Sequence, residues 1–440
     1  MNGVYTFGKA LTEEGRDPRI VYLNESARYP FVPFATGLDS VRSWLQGPNE
    51  DWLEPAKSLL RHVSQSPVPR DFRPNVVVVL MESWSGRNTG ALGSTLGITP
   101  EFDSLAAHGM LFTNFYANGT RTNYGMPAVL CGFPALPGRS IMVRYNAAHP
   151  FVSLSEILHD RGYYNAFAYG GDLAFDNLEG FFRNKKFDRF FGDDDFGKQN
   201  VFAKWGVPDH IVFHDVVHLI DSFPRPFQLT VLTLSNHEPF DLPDSSVQIY
   251  KDGSDNSKVL NSHRYADFAL GKFMQEFRTR PFFDSTIFVF TADHAKYGAG
   301  KVDPDPLDFR VPLLIYGPKL IGSEPRRIAT TAGQIDILPT LMGLIGGSYV
   351  HGSWGRDILE VPSHDSGYAI VNIMGTLGIV SGGYLYGETL GSEPFLYSLD
   401  ELKTRVHDIK ADHPALTAQL QRHLRIFCQI ADQLSTPQTK

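Results

Sequence analysis

Pro74-Asn75-Val76-Val77-Val78-Val79-Leu80-Met81-Glu82-Ser83-Trp84-Ser85-Gly86 sets an unbroken apolar run between turn-forming residues and follows it at once with a carboxylate. A β-branched run without polar alternation predicts a strand buried on both faces, as in parallel sheets. Glu82 then stands at its carboxyl end. The pattern recurs at Thr286-Ile287-Phe288-Val289-Phe290-Thr291-Ala292, which runs into Asp293-His294 and a Gly-containing loop from Ala295 to Gly300. It recurs again at Gln228-Leu229-Thr230-Val231-Leu232-Thr233-Leu234, just ahead of His237. Ligands of open α/β sheets bind beyond the carboxyl ends of the strands, so Glu82, His237, Asp293 and His294 are expected at one edge. Two carboxylates and imidazole nitrogen there suit a divalent cation.

Outward from these strands, helical and strand-like stretches alternate. Strands are expected at 75–81, 165–169, 228–234, 286–292 and 312–316, and helices at 99–108, after Thr122, and at 154–161, 209–222 and 262–279. Such alternation predicts an α/β fold with a mainly parallel central sheet sandwiched by helices. Residues 1–72 read as a helical arm with amphipathic stretches at Leu38 to Leu45 and Trp52 to Val63, ending in the connector Ser66-Pro67-Val68-Pro69-Arg70. The catalytic α/β domain is expected over 73–367, and a small C-terminal sheet plus helix over 368–440, from strand-like pieces Ala369 to Ile373 and Leu377 to Leu385 and a helix from Pro414 to Leu434.

Composition bounds the function. At 440 residues and 42% hydrophobic, the chain can bury one large core. A net charge of −8 without a Lys/Arg block argues against nucleic acid as a partner. Cys131 and Cys428 are too few for a disulfide framework. No run approaches the ~20 apolar residues of a spanning helix, and residues 1–30 lack a basic-then-apolar signal. Most of the aromatic residues, 12% of the chain, are expected in the core; Trp84 and Trp205 are candidates for half-wet positions against acyl chains or a bilayer.

Asn118-Gly119-Thr120-Arg121-Thr122-Asn123-Tyr124-Gly125-Met126-Pro127-Ala128-Val129-Leu130 reads as a Gly-hinged turn entering a helix. Thr122 then lies near free backbone N–H groups, where a phosphate or an alkoxide is favoured. A threonine hydroxyl is a poor nucleophile until a metal or base takes its proton, which a cation shared with Glu82, Asp293 and His294 can do. Arg121 beside it can offer its fork to the phosphate. Singly, a Glu after a strand, an Asp-His pair or a Thr in a turn is most often a cap or a surface residue; their joint order carries the chemistry.

That order continues through Ser235-Asn236-His237-Glu238-Pro239-Phe240, Phe309-Arg310-Val311-Pro312-Leu313-Leu314-Ile315-Tyr316-Gly317-Pro318, Gln334-Ile335-Asp336-Ile337-Leu338-Pro339-Thr340 and Gly355-Arg356-Asp357. Over roughly residues 70 to 400 it resembles the lipoteichoic acid synthase family of the alkaline phosphatase and sulfatase superfamily. The resemblance implies a phosphoglycerol transferase that moves glycerophosphate from phosphatidylglycerol onto a threonine, then to an acceptor hydroxyl on a glycan or glycerol-type molecule. It implies Glu82, Thr122, Asp293 and His294 as ligands of one divalent cation, manganese before zinc or magnesium, with Thr122 as nucleophile. His237 is implied as a headgroup binder first and a general acid second.

Tyr169-Gly170-Gly171-Asp172-Leu173-Ala174-Phe175-Asp176-Asn177 matches a headgroup-contacting loop of that family, which makes Asp172 and Asn177 further expected substrate contacts. Asp176 and Leu178 stand where Gram-positive members carry tryptophan and arginine, so the donor stays open and the loop looks more like Gram-negative relatives that decorate periplasmic glucans. The resemblance also implies an inner-membrane protein whose catalytic domain faces the periplasm or exterior. The chain is therefore expected to be the outward-facing part of a longer protein, with Met1 not native; a full gene without upstream apolar helices would contradict this.

Three rivals remain. A phosphoethanolamine transferase typically brings several disulfides. A sulfatase needs a Cys-x-Pro-x-Arg turn, whereas Cys131-Gly132-Phe133-Pro134-Ala135 has its proline one place late and no arginine in register, and a single acidic residue after the first strand speaks for one principal metal site rather than two. A lipid-binding pseudoenzyme would lack the nucleophile or a ligand, and here the set is complete.

Overall fold

All three apolar runs are central strands of one eight-stranded sheet, in a computed structural model that describes residues 31–54, 56–64, 73–143, 151–202, 204–296, 305–373, 376–389, 393–403 and 406–435. The connector at 66–70, residues 1–30 of the arm and the loop end 297–300 lie outside the described residues. Numbered along the chain, the strands of this sheet are β1 Asn75–Met81, β2 Met110–Phe112, β3 Tyr164–Tyr169, β4 Arg189–Phe191, β5 Phe227–Leu232, β6 Thr286–Ala292, β7 Leu313–Tyr316 and β8 Arg326–Ile328. Their spatial order is β8-β2-β7-β6-β1-β5-β3-β4. Of these, β7 alone runs against the rest, so the sheet is mainly parallel. Every residue of β1, β5 and β6 is buried, as an unalternating apolar run requires.

Helices cover both faces. Pro100–Ala106 and Asp209–Leu219 both pack on Asp255–Phe277, and Leu154–His159 and Ile337–Ile345 both pack on Thr122–Cys131. The long helix begins at Asp255 rather than near Ser262, because the Ser254 hydroxyl accepts from the Ser257 amide at 3.2 Å and caps two extra turns. Trp84 is fully buried, which corrects its reading as a lipid-facing side chain. Its ring lies 5.7 Å from Phe102 and 4.4 Å from His263, and its indole N–H finds an internal partner in Thr89 Oγ1 at 3.0 Å. An indole satisfied internally has no need of a wet boundary.

The arm differs from its reading as well. Phe34–Leu45 is the expected amphipathic helix, but none of the described residues from Trp52 to Val63 is helical. Glu50–Trp52 and Arg61–Val63 pair as antiparallel strands and continue onto Tyr349–His351. The reason is Arg61, whose guanidinium is fully buried. It meets Glu50 Oε2 at 2.9 Å and donates to the carbonyls of Ser353 and Gly355, each at 2.8 Å. A buried cation needs partners in fixed directions. At the other end of the chain, the piece read as one strand from Leu377 to Leu385 is two, Thr376–Ser381 and Tyr384–Thr389. Gly382 and Gly383, with φ of 57° and 83°, form the two-residue turn between them. Tyr368–Ile373 and Phe395–Ser398 complete this four-stranded sheet, and helix Pro414–Ser435 packs on helix Phe34–Leu45. Among the described residues, no helix is long and apolar enough to cross a membrane.

Candidate active site

Strand register builds the site. β1 pairs with β6 from Asn75 opposite Thr286 through Met81 opposite Ala292, so the next residue of each, Glu82 and Asp293, leaves the carboxyl edge beside the other. Just past β5, Thr233 Oγ1 accepts from the Glu82 amide at 2.8 Å. Ser83 then turns into the left-handed region at φ 51°, uncommon for a side chain other than glycine. That turn aims its amide at Asp293 Oδ1, 3.0 Å away, and its hydroxyl at Glu82 Oε1, 2.7 Å away. Asn236 Nδ2 fixes the same bend by donating to the Glu82 and Ser83 carbonyls at 3.1 and 3.3 Å.

Asp293 gathers the remaining groups. Its Oδ1 also accepts the His294 amide at 2.7 Å, and its Oδ2 accepts the Thr122 hydroxyl at 2.7 Å. Thr122 is the first residue of helix Thr122–Cys131, which can come this close because residue 125 is glycine: a Cβ there would lie 1.9 Å from the Asp293 carbonyl oxygen. His294 Nδ1 lies 2.9 Å from the Ala295 carbonyl and so carries the proton. Its Nε2 faces Glu82 Oε1 at 3.7 Å and Asp293 Oδ2 at 3.5 Å.

Glu82 and Asp293 are both buried, and among the described residues neither lysine nor arginine comes within ion-pair distance of either. Burial first, and the Asp293 charge second, push the Glu82 carboxyl well above the usual range. Two buried carboxylates without a cation are costly. One ligand atom from each of Glu82, Asp293 and His294 falls within 4.8 Å of the others, with the Thr122 hydroxyl alongside. Hard oxygens with one imidazole nitrogen fit a divalent cation.

Gln334 supports this cluster and was not foreseen as part of it. Its side-chain amide donates to the carbonyls of Ala292 and Asp293 at 2.8 and 2.7 Å, while its oxygen accepts the Asn118 amide at 2.9 Å. It thereby ties the end of β6 to the turn before Thr122. The signal in the sequence is slight, a lone amide entering an apolar helix. Gln334→Leu leaves two buried carbonyls and one amide unpaired, and is expected to lower unfolding free energy by about 3 kcal/mol in denaturant titration, at ~1–3 kcal/mol per orphaned group with partial relaxation.

Asp209, fully buried, accepts the Leu234 and Ser235 amides at 2.8 and 3.2 Å and so holds the loop that carries His237; burial pushes its carboxyl up to about 6. His237 is half-buried, its Nδ1 2.9 Å from the Glu238 carbonyl and its ring 4.2 Å from that of Trp205. Trp205 is partly exposed, with its N–H on the Glu238 carbonyl and Phe175 at 5.8 Å.

In the neighbouring loop, Asp172 is exposed and accepts the Ala174 amide at 2.8 Å, and Asn177 is exposed and donates to the Met142 carbonyl at 2.6 Å. Both side chains shape the loop. Asp176, between them at φ 50°, is the residue turned inward: burial raises its carboxyl pKa, while the Arg121 charge, a hydrogen bond with Asn123 and the His237 charge lower it. Arg121 itself is exposed. Cys131 closes the far end of the helix that Thr122 begins, and burial pushes its thiol up to about 12.

The sulfatase family model matches residues 74–347. The lipoteichoic acid synthase-like YvgJ of Bacillus subtilis is 27% identical over 296 residues, 62% of this chain and 47% of that protein. A lipoteichoic acid synthase of Staphylococcus aureus is 22% identical over 333 residues, 68% of this chain and 50% of its own. The chain thus spans about half the length of the curated relatives it matches. A solved structure of a protein in the alkaline phosphatase superfamily from Vibrio parahaemolyticus superposes with a TM-score of 0.80 at 27% identity, covering 92% of this chain and 97% of that one. The lipoteichoic acid synthase LtaP from Listeria monocytogenes shares the fold, with a TM-score of 0.71 at 20% identity and coverage of 91% and 98%.

Proposed function

Because this chain belongs to the sulfatase family and carries the alkaline phosphatase superfamily fold, we propose that it is a metal-dependent phosphoglycerol transferase that works through a phosphothreonine at Thr122. One observation carries the reading: the Thr122 hydroxyl donates at 2.7 Å to Asp293 Oδ2 at the point where Glu82 and His294 converge. Glu82, Thr122, Asp293 and His294 would hold the cation, manganese by resemblance. When bound, it supplies Lewis acidity toward a phosphoryl oxygen and the threonine hydroxyl.

The protein groups do the rest. Thr122 Oγ1, with Asp293 Oδ2 as acceptor of its proton, attacks phosphorus; the bond from phosphorus to the diacylglycerol oxygen breaks, and that oxygen leaves with a proton. His237, its Nε2 free of the Glu238 carbonyl, binds the headgroup or supplies that proton. Arg121 and the amides opening the helix at Thr122 offset charge on the phosphoryl oxygens. A glycan or glycerol-type hydroxyl, its proton passing to His237, then attacks the phosphothreonine; the bond from phosphorus to Thr122 Oγ1 breaks and Thr122 recovers its proton from Asp293. On this reading the site works at the outer side of the inner membrane, where its lipid donor is presented.

A second reading rests on Asp176. A partly buried carboxylate in the headgroup loop, acted on by the Arg121 and His237 charges, suits the ammonium of phosphatidylethanolamine, which favours phosphoethanolamine transfer. One experiment separates the two. The protein is incubated with Mn²⁺ and labelled phosphatidylglycerol or phosphatidylethanolamine, and Thr122 is analysed by mass spectrometry. A glycerophosphate adduct, lost on chelation and restored by Mn²⁺, is the expected result. An ethanolamine adduct selects the second reading, and label that persists in Thr122→Ala rejects both.

A further inference from the structure

Away from the site, helix Asp209–Leu219 presents His214 and His218 one turn apart, and the parallel-running helix Asp255–Phe277 brings Glu276 to both. His214 Nδ1 lies 3.0 Å from Glu276 Oε2, and His218 Nε2 lies 3.0 Å from Glu276 Oε1. One ligand atom from each of the three residues falls within 4.8 Å of the others. The two imidazoles are more than half exposed, at 59% and 55%, so water can complete a coordination shell.

We propose that His214, His218 and Glu276 form a second metal site, selective for a borderline ion of the zinc class, that clips these two helices together. Bonds of about 2.0–2.1 Å at tetrahedral angles set ligand atoms about 3.4 Å apart, so the 3.0 Å separations need only a slight opening to admit the ion. Two imidazoles with a single carboxylate favour zinc, nickel or copper over the harder ions that an oxygen-rich set prefers. The exchange is balanced: each imidazole gives up its N–H···O contact with Glu276 and binds the ion through that same nitrogen, its proton moving to the other ring nitrogen or to water.

Arg280 bears on the site. Its Nη2 lies 3.3 Å from His218 Nδ1 and its Nε 3.1 Å from Asp221 Oδ1, so on metal binding it withdraws onto Asp221. The clip has a use, because Asp209 begins the same helix and holds the loop behind His237. An ion there stiffens that wall of the active site without touching substrate.

The test is zinc stoichiometry of the chelated protein by equilibrium dialysis and metal analysis. About two equivalents are expected for the native chain, and about one each for His218→Gln and Asp293→Asn. His218→Gln should keep its zinc-free melting temperature and its Thr122 labelling, but lose the upward shift in melting temperature that zinc gives the native protein. Arg280→Gln, which removes a positive charge beside His218, should bind zinc several-fold more tightly at this site. Unchanged stoichiometry in His218→Gln, or an Arg280→Gln protein that binds zinc no better than native, overturns the proposal.

Discussion

Thr122→Ala is expected to lower turnover by about 10⁴-fold or more, in the range seen when a covalent nucleophile is removed. The fold should survive. Thr122 opens its helix without a side-chain cap, so the loss is one buried methyl and one hydrogen bond, about 1–2 kcal/mol. Thr122→Ser keeps the hydroxyl that reaches Asp293 Oδ2 and should retain measurable turnover, with the phosphoryl adduct moved to serine. Release of diacylglycerol, followed beside circular dichroism, decides the matter: an alanine variant within tenfold of native activity would falsify covalent catalysis by this residue.

Gly125→Ala should harm stability and catalysis without removing any reacting group. The added Cβ would meet the carbonyl oxygen of Asp293 at 1.9 Å, its carbonyl carbon at 2.7 Å and its Cα at 3.0 Å. These are backbone atoms at the end of a buried central strand, held in place by Gln334, so the strand cannot yield. The helix must retreat instead. Overpacking of this kind costs about 1–3 kcal/mol, and a retreat of about 1 Å carries the Thr122 hydroxyl away from Asp293, worth ~10²-fold in rate. Thermal unfolding and initial rates on one preparation read both effects, and a variant with native stability would mean that the contact is looser than these distances.

Central strands were legible for a physical reason. β1 and β6 are buried on both faces, and burial on both faces removes the polar alternation that would otherwise blur a strand. Their partnership was not legible, since nothing in Val76 to Met81 says that Thr286 to Ala292 lies beside it in matching register. The convergence of Glu82 with Asp293 and His294 could be expected from strand ends, but the groups that fix its geometry could not. Ser83 adopts a conformation its residue type rarely takes, and Gln334 reaches the site from an element with no pattern of its own.

In the arm the difference comes from a partner remote in sequence. Trp52 to Val63 has helix-like spacing, yet its last residues, Arg61–Val63, pair with Tyr349–His351, and that pairing overrides local preference. The division at Gly382-Gly383 was readable, because two consecutive glycines between alternating runs announce a hairpin. In the loop that ends at Asn177, the family resemblance pointed to the flanking Asp172 and Asn177. Backbone direction instead turned Asp176 inward.

Arg61 bears on how this protein can be shortened. A boundary drawn at residue 73 would delete the guanidinium that bonds the Ser353 and Gly355 carbonyls, and the Glu50 carboxylate that lies 3.5 Å from His351 Nε2. Such a truncation would expose a polar seam that residues 50–61 keep dry. The smallest fragment worth expressing therefore starts ahead of Glu50, and preferably ahead of Phe34, whose helix shelters the C-terminal one.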